Sequence, residues 1–231
     1  MAIYAIGDLH LSFGSSKPMN IFGPEWDGHP EKIEKNWNDL VSEDDLVILA
    51  GDISWAMQLQ EVEADLNWLS GLKGSKLLVR GNHDYWWSSI GKVRAMLPPG
   101  IFALQNDHFT WGGCLICGTR GWLCPGEDGF NSDQDQKLYH REVQRLQLSL
   151  ESTAGKTGMP IITAMHFPPF NRQGQPSAFT ALMEEYGVKI CLFGHIHDDG
   201  RDYIFQGERK GIRYIFVAAD GINFTPKKIV I

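Results

Sequence analysis

Five short apolar segments of this chain end in the same way, with Asp, Asn or His, and four of the five reach that side chain through a glycine. Each segment is about five residues long and rich in Ile, Leu and Val, which predicts strands buried on both faces. In α/β proteins, sites form beyond the carboxyl ends of strands, where loops distant in sequence meet. The strand-end sequences are Gly7-Asp8-Leu9-His10, Gly51-Asp52, Gly81-Asn82-His83-Asp84, His166 and Gly194-His195-Ile196-His197.

Each of these sequences is weak evidence when it is taken alone. A Gly-Asp pair after a strand is usually a turn, a single His is usually a partly exposed polar residue, and Asn-His-Asp can cap a helix. The joint pattern is much more specific, because five of the eight histidines occupy these positions. Those five are His10, His83, His166, His195 and His197.

The remaining pattern predicts an α/β layered fold in which strands alternate with helices. Strands are predicted at 2–6, 45–50, 76–80, 113–118, 160–165 and 189–193, with two or three more in 202–231 around turns at Gln206-Gly207 and Asp220-Gly221. Apolar residues at helical spacing predict helices within 62–69, 90–97, 138–150 and 179–183. Segment 12–30 is rich in Gly, Pro and aromatic residues, which predicts an irregular loop that acts as a lid or binding loop.

Length and composition narrow the class of protein. A chain of 231 residues suits one domain over 1–231. It contains no apolar run of about 18 residues and no signal-peptide pattern, so we expect a cytoplasmic protein without a membrane partner. The net charge of −7 argues against broad binding to nucleic acid, although metal-binding carboxylates contribute to that total. Cys114 and Cys117 have zinc-site spacing, but their apolar surroundings favour buried thiols.

The side chains at the strand ends favour a particular class of metal. They are imidazoles, carboxylates and one amide, a set that suits Mn, Fe, Zn or Ni and does not favour Cu(I) or iron–sulfur clusters. Seven candidate ligands are too many for one tetrahedral ion. They suit two ions that share a carboxylate, an arrangement that clamps the attacking and leaving oxygens of an in-line displacement.

The order of these motifs resembles that of the calcineurin-like metallophosphoesterase superfamily from Asp8 to His197, and the Gly-Asn-His-Asp-Tyr-Trp-Trp run resembles its bacterial group of predicted phosphohydrolases. The resemblance implies a four-layer α/β/β/α sandwich of two mixed β-sheets flanked by helices. It also implies two divalent metal ions, with manganese first and Fe, Zn, Ni or Co as alternatives. The implied reaction is hydrolysis of a phosphate diester or activated monoester by a hydroxide that bridges the metals.

The resemblance also implies a role for each strand-end residue. The first metal would be held by Asp8, His10 and His197, and the second by Asn82, His166 and His195. Asp52 would bridge the two ions. His83 would lie over the phosphate and could protonate the leaving oxygen, while Asp84 would either orient His83 or cap the next helix.

Departures from better-known subfamilies narrow the resemblance. Trp55 stands where purple acid phosphatases carry a metal-binding Tyr, which argues against an iron–tyrosinate pair. The Asp-Arg-Gly run of the protein Ser/Thr phosphatases is replaced after the bridging Asp by Ile53-Ser54-Trp55-Ala56. The chain after His197 leaves little room for the extra regions of the double-strand-break repair nucleases.

Substrate contacts are predicted from residues beside the motifs. Arg172, in the loop after His166, could reach a phosphate oxygen, or it could be a solvated loop residue. Tyr85 and Trp55, with Trp86 and Trp87, could form an aromatic wall for a flat leaving group, or they could pack the core.

The expected partner is a small phosphate ester. One alternative function is a nuclease or nucleotide phosphodiesterase, which would need a basic groove, and the sequence contains no strong basic run. A third is a non-catalytic scaffold, which would be expected to lack ligands, although every ligand position is filled. The sequence does not determine the substrate or the oligomeric state.

Overall fold

The computed structural model describes residues 1–15 and 17–231, with residues 198 and 199 described by their backbone alone. Two β-sheets and the helices outside them make up most of the chain. The strands are β1 (Ile3–Ile6), β2 (Leu46–Ala50), β3 (Ser75–Val79), β4 (Ile101–Ala103), β5 (Phe109–Trp111), β6 (Cys114–Thr119), β7 (Ile161–Met165), β8 (Ile190–Phe193), β9 (Gly207–Arg209), β10 (Ile212–Phe216) and β11 (Lys227–Ile229). The helices are α1 (His29–Leu40), α2 (Glu63–Gly71), α3 (Ile90–Met96), α4 (Ser132–Glu151) and α5 (Ala178–Glu185).

Both sheets are mixed, with a parallel centre and antiparallel edges. The first has the order β11-β1-β2-β3-β4, and only β11 runs antiparallel to its neighbour. The second has the order β5-β6-β7-β8-β10-β9, with β5 and β9 antiparallel. The sheets meet just beyond the ends of β1 and β10, where Gly7 forms a parallel bridge with Ala218. The carboxyl ends of the parallel strands from both sheets therefore lie near one another.

The apolar residues of the strands divide between an inner and two outer layers. In β2, Ile48 faces the second sheet and Leu49 faces the helices, and all five residues of this strand are buried. The inner layer joins the two sheets, α1 to α3 cover the first sheet, and α4 and α5 cover the second. This arrangement is the α/β/β/α sandwich of two mixed sheets that the resemblance implied, so that prediction is confirmed.

All six strands predicted from the apolar runs are present, with ends that shift by about one residue, as are the four predicted helices. The last stretch holds three strands, but Gly207 begins β9, and the tight turn lies at Lys210-Gly211 instead of Gln206-Gly207. Asp220-Gly221 belongs to a short 3-10 helix. The four cysteines are buried free thiols. None of the helices in the described part of the chain is both long enough and apolar enough to span a membrane.

Segment 12–30 differs in part from the predicted loop. It contains two 3-10 turns, Met19–Phe22 and Pro24–Trp26, and α1 begins inside it at His29. Only His29, Ile33 and Trp37 of α1 are buried, so the helix presents a narrow apolar stripe between polar residues. That stripe is too sparse to predict a helix from periodicity, and α1 was missed for this reason.

Candidate active site

The candidate ligands from all five strand-end loops lie together at the carboxyl edge of the sandwich. They form two neighbouring groups, and within each group the potential ligand atoms lie within 4.8 Å of one another. The first group is Asp8, His10 and His197, and the second is Asp52, His166 and His195. These side chains are far apart in sequence, and the parallel strands bring them together.

In the second group, oxygen and nitrogen atoms that can bind a metal face one another. The Nδ1 atom of His166 lies 3.1 Å from the carbonyl oxygen of Ala50, which can only accept, so Nδ1 carries a proton and Nε2 is the nitrogen that could bind a cation. That Nε2 atom lies 2.7 Å from Asn82 Oδ1 and 3.4 Å from Asp52 Oδ2. It also lies 3.1 Å from Nδ1 of His195. A divalent cation is the group that such a convergence of oxygen and nitrogen atoms fits.

The first group is held by a carboxylate behind it. Nδ1 of His197 donates to Asp220 Oδ1 at 2.9 Å, which turns Nε2 towards Asp8 Oδ1 at 3.5 Å. A hydrogen bond of this kind fixes the tautomer and orientation of a ligating histidine. His10 completes the group, with Nε2 lying 3.8 Å from Asp52 Oδ2. The Asp52 carboxylate is therefore near members of both groups.

The four imidazoles of the two groups differ in pKa: burial lowers the pKa of His10 to about 4 and that of His195 to about 3, whereas the pKa values of His166 and His197 are raised. Burial alone would raise the pKa of Asp8, but the hydrogen bond from His197 and the charges of His166 and His197 outweigh it, so the pKa lies below its usual value. Burial likewise opposes the raised pKa values of His166, about 9, and His197, about 10, which are produced by Asp52, Asp220 and Asp8. The carboxylates thus draw protons onto two imidazoles, and bound cations would supply the same charge.

The local backbone that presents the candidate ligands is unusual. Asp8, His10, Asp52 and His195 have positive φ angles of 57°, 47°, 50° and 76°. This left-handed region is uncommon for residues with a side chain, although Asp and His enter it more readily than most. The conformation is stabilised by bonds between loops, in which Asp8 N–H donates to Gly51 O at 2.9 Å and His10 N–H donates to Asp52 O at 3.0 Å.

The glycines of the motifs serve two different purposes. Gly51 has a φ of 88°, which is the sharp turn expected from the sequence. Gly81 and Gly194 allow close approach instead, because a Cβ atom at Gly81 would overlap Asp52 and one at Gly194 would overlap the Asp8 carboxylate. Close contact between strand-end loops therefore explains two of these four glycines better than turning does.

His83 lies at the opening of the site. Its backbone N–H donates to Asp52 Oδ1 at 2.8 Å, and its Nε2 lies 4.0 Å from Asp52 Oδ2. About a third of the side chain, 34%, is exposed, and burial of the rest lowers the pKa of the imidazole. The ring lines the cavity in front of the Asp52 carboxylate.

The Asp84 carboxylate bonds to backbone groups of two strand-end loops and to one tryptophan. Its carboxylate is buried and accepts hydrogen bonds from Gly81 N (2.7 Å), Ile53 N (2.9 Å), Ser54 N (3.1 Å) and Trp86 Nε1 (3.0 Å). Among the described residues none of its bonds goes to the His83 ring, and α3 begins six positions later, at Ile90. Asp84 therefore ties the loops after β2 and β3 together.

A cavity of about 110 Å³ opens in front of the two groups. Its lining residues are His10, Met19, Phe22, Trp26, Asp52, Trp55, His83, His195 and His197. Trp55 stacks on the His10 ring with centroids 4.8 Å apart, and Tyr85 is half-exposed with its ring 6.1 Å from that of His83. Trp86 and Trp87 are buried in the core, so they cannot belong to the aromatic wall that the sequence predicts for a flat leaving group.

Arg172 lies beside this cavity and is already paired with acidic groups. Its guanidinium contacts Asp128 at 3.0 Å and Glu127 at 3.6 Å. The side chain lines a neighbouring cavity of about 250 Å³ that also reaches His195. A phosphate would have to compete with two carboxylates for this guanidinium.

Three residues near the site were not assigned a function from the sequence. Asp220 follows a strand end in the same way as the other loops, and that position was the signal that could have identified it. Trp26, from segment 12–30, packs against His10 and His197 with ring centroids 5.8 and 5.7 Å away. Lys17 Nζ lies 4.8 Å from the centre of the Trp55 ring, and no feature of the sequence distinguished it from other surface lysines.

Comparisons with known proteins agree with this geometry. The calcineurin-like phosphoesterase family model matches residues 1–199. The Gene 66 protein of Mycobacterium phage L5 is 32% identical over 77 residues, which are 33% of this chain and 37% of the phage protein. The Gene 66 protein of Mycobacterium phage D29 is 31% identical over 83 residues, which are 36% of this chain and 40% of the phage protein. The matched part is thus well under half of each phage protein.

Two solved structures share the fold at low sequence identity. Phosphopantetheinyl hydrolase from Mycobacterium tuberculosis superposes with a TM-score of 0.61 at 17% identity, covering 99% of this chain and 95% of that one. A protein of unknown function from Aquifex aeolicus superposes with a TM-score of 0.52 at 15% sequence identity, covering 98% of this chain and 95% of that one.

The family match spans most of the chain, and the fold and the site carry the features that such a match requires. The chain belongs to the calcineurin-like phosphoesterase family. Two candidate metal-binding groups lie at the carboxyl edge of its sheets.

Proposed function

We propose that this protein binds two divalent metal ions and uses them to hydrolyse a small phosphate ester, either a diester or an activated monoester. The observation that carries the proposal is the position of Asp52, whose Oδ2 lies 3.8 Å from His10 Nε2 in one group and 3.4 Å from His166 Nε2 in the other. A single carboxylate within reach of both groups is what a bridged metal pair needs. Bound there, two divalent ions would activate a water molecule and neutralise charge on the phosphate.

The set of donor atoms supports the choice of metals. Asp8 and Asp52 offer oxygen, Asn82 offers an amide oxygen, and the histidines offer nitrogen, whereas all four cysteines are buried thiols that belong to neither group. This mixture favours manganese first, with Fe, Zn, Ni or Co as alternatives. Asn82 would join His166 and His195 around the second ion, because its Oδ1 already faces His166 Nε2 at 2.7 Å.

His83 would act on the leaving group. Its ring lies at the mouth of the cavity, near the Asp52 carboxylate, and its backbone is fixed by the bond to Asp52 Oδ1. An imidazole in this position can stabilise charge on the phosphate and give a proton to the departing oxygen, which typically contributes a rate factor of about 100 to 10,000. Asp84 supports the loop that carries His83, and in that sense it is a positioning residue.

The cavity supports a small substrate. About 110 Å³ is room for a phosphate and part of an organic group, and Trp55 presents an aromatic face on one side. Tyr85 is exposed nearby and would stack on a flat leaving group, and Arg172 would contact a phosphate oxygen if it exchanged its acidic partners for the substrate. A nuclease is the second enzymatic candidate, but the net charge of −7 opposes it.

The experiment is a substrate panel on protein reconstituted with Mn. It should contain phosphomonoesters, linear and cyclic diesters, nucleotides and, because of the Mycobacterium tuberculosis hydrolase, a phosphopantetheine ester. Asp52→Asn should abolish turnover and lower the bound metal, with Asp39→Asn on the exposed face of α1 as the matched control. An Asp52→Asn protein with near-normal activity would exclude the bridging role.

A second pair of variants tests His83. His83→Ala should reduce turnover while both ions stay bound, and His140→Ala, at an exposed site on α4, should change neither. Arg172→Ala should raise KM, and unchanged kinetics would remove Arg172 from the substrate contacts. Zero turnover with each of Mn, Ni, Co, Zn and Fe would instead favour a protein-binding scaffold.

A further inference from the structure

Three arginines contact one buried glutamate next to the candidate metal centre, and a fourth, Arg80, interacts with it electrostatically. Glu142, on α4, has a side chain with no solvent exposure. Its Oε1 accepts from Arg145 at 2.8 Å and from Arg120 at 3.3 Å, and it lies 3.6 Å from Arg141 Nε. The arginine cluster is Arg80, Arg120, Arg141 and Arg145.

Carboxylates balance only part of the charge of the arginine cluster, since Glu142 attracts Arg80 and Arg120 and Asp84 attracts Arg80. Glu142 is the only carboxylate in hydrogen-bond or ion-pair contact with the four guanidinium groups among the residues that the structure describes, and its Oε2 is already bonded to Thr119 Oγ1 at 2.8 Å. Burial lowers the pKa of Arg120 to about 10, and repulsion from the other three arginines adds to this, against the attraction of Glu142. An excess of like charge in a partly buried place is unfavourable unless an anion joins it.

Two of the guanidinium groups also have donors without an acceptor. The Nε atoms of Arg80 and Arg120 are buried, and neither has a hydrogen-bond partner. The Arg80 side chain makes no hydrogen bond or ion pair to any described residue, and the Arg120 side chain is only 10% exposed. A buried donor left unpaired is destabilising, and more so when it is charged.

The arginine cluster is open to solvent on one side and borders the candidate metal ligands on the other. Arg141 and Arg145 are 48% and 27% exposed, which gives a small anion access. Arg80 lies two positions before Asn82 in the loop after β3. The carbonyl oxygen of Arg120 accepts from the backbone N–H of His166 at 3.1 Å and of Phe167 at 2.9 Å.

We propose that the arginine cluster binds an oxyanion of the phosphate type, held by the free donors of Arg80 and Arg120 and by the exposed arginines of α4. Planar guanidinium groups match the geometry of phosphate oxygens and bind them bidentately. The anion is either free phosphate or a second phosphate group carried by the substrate. A purely structural role for the cluster would require only that Glu142 hold α4 on β6, and Arg80 takes no part in that contact.

The test is an NMR titration of the protein with sulfate, in which the side-chain Nε–H signals of arginine are followed. The signals of Arg80 and Arg120 should shift and saturate, and Arg80→Gln should weaken the affinity about tenfold, since it removes a hydrogen bond to a charged group. Lys210→Gln, which removes one positive charge at an exposed site paired with Glu184, should leave the affinity unchanged. Unsaturable shifts, or equal affinity in Arg80→Gln and the wild type, would overturn the proposal.

A kinetic comparison then identifies the source of the anion. With Mn-loaded enzyme, Arg80→Gln should raise KM for an ester that bears a second phosphate and not for its monophosphate analogue if the substrate supplies the anion. Equal kinetics on both esters, with sulfate binding retained, would assign the site to free phosphate. Because the titration does not depend on turnover, failure of the proposed hydrolysis would leave it interpretable.

Discussion

The carboxylate of Asp220 offers a sharp test of how the first group is held. It is 1% exposed and accepts the Nδ1 proton of His197 at 2.9 Å. This contact determines that Nε2 of His197 faces Asp8, the arrangement in which the imidazole can bind a cation. We therefore replace Asp220 with Ala, which removes the acceptor, and with Asn, which keeps an oxygen in nearly the same place.

The size of the effect follows from the contact that is lost. A hydrogen bond to a charged group contributes about 1.5–3 kcal/mol, and loss of the partner of a ligating histidine typically weakens metal binding by about 10–100-fold. Those two estimates agree, since a tenfold change corresponds to about 1.4 kcal/mol. Asp220→Ala should thus lose about 10–100-fold in affinity for one metal ion, and Asp220→Asn less than about tenfold, because its oxygen still accepts from Nδ1.

The assay is competition between the protein and a chelator for Mn, with thermal unfolding as a check that each variant folds. Asp39→Ala on α1, where the carboxylate is 62% exposed, is the matched control and should bind metal as the wild type does. If Asp220→Ala bound both ions with wild-type affinity, the role of Asp220 in orienting His197 would be refuted. Equal losses in the Ala and Asn variants would show that charge, and not orientation, matters.

Three other properties can be checked. Burial lowers the pKa of Lys76 to about 8, so the folded state loses this proton at a lower pH than the unfolded chain does. Lys76→Met should therefore raise the free energy of unfolding by up to about 3 kcal/mol at pH 7. The difference in stability between the variant and the wild type should close as pH rises from 8 to 10.5, as urea unfolding would show. A gap that widens with pH would contradict this. Phe22→Ala, at a half-exposed position of the cavity wall, should raise KM severalfold without lowering the melting temperature; an unchanged KM would exclude contact with substrate. Removal of metal with EDTA should lower the melting temperature by roughly 8–16 °C, since ligand at about a thousand times its Kd adds about 4 kcal/mol; equal melting curves would oppose metal binding here.

The parts of this fold that the sequence predicts are those in which burial and chemistry leave a local trace. Strands such as β2 are buried on both faces, so they read as unbroken apolar runs. The loop after each carries its polar side chain immediately, so Asp52 and His166 were identifiable before their proximity was known. In contrast α1 buries only a sparse stripe, including Ile33 and Trp37, and edge strand β4 has just three residues, so neither leaves a periodic signal.

Contacts between distant loops leave no such trace. The pairing of Arg172 with Asp128 depends on how two loops pack, and the sequence could not show that its charge is already neutralised. The same is true of Asp220, for which the sequence indicates only a turn, whereas the structure places its carboxylate oxygen beside His197. Gly81 looked like a turning residue as well, but its role depends on the approach of Asp52, a residue from another strand-end loop.

The backbone of the site explains why these loops have to hold one another. Four candidate ligands have positive φ angles, and each such residue costs of order 1–3 kcal/mol, with Asp and His near the low end. The sum is a large fraction of the net stability of an ordinary domain, about 5–15 kcal/mol, so it must be offset locally. The offset comes from bonds that cross between loops, in which Leu11 N–H donates to Ile53 O at 3.0 Å, Trp55 N–H donates to Leu11 O at 2.9 Å, and His195 N–H donates to the Asp8 carboxylate at 3.0 Å. Since each strained loop is the hydrogen-bond partner of another, the ligand positions are determined jointly, and a change in one loop is expected to displace ligands on its neighbours.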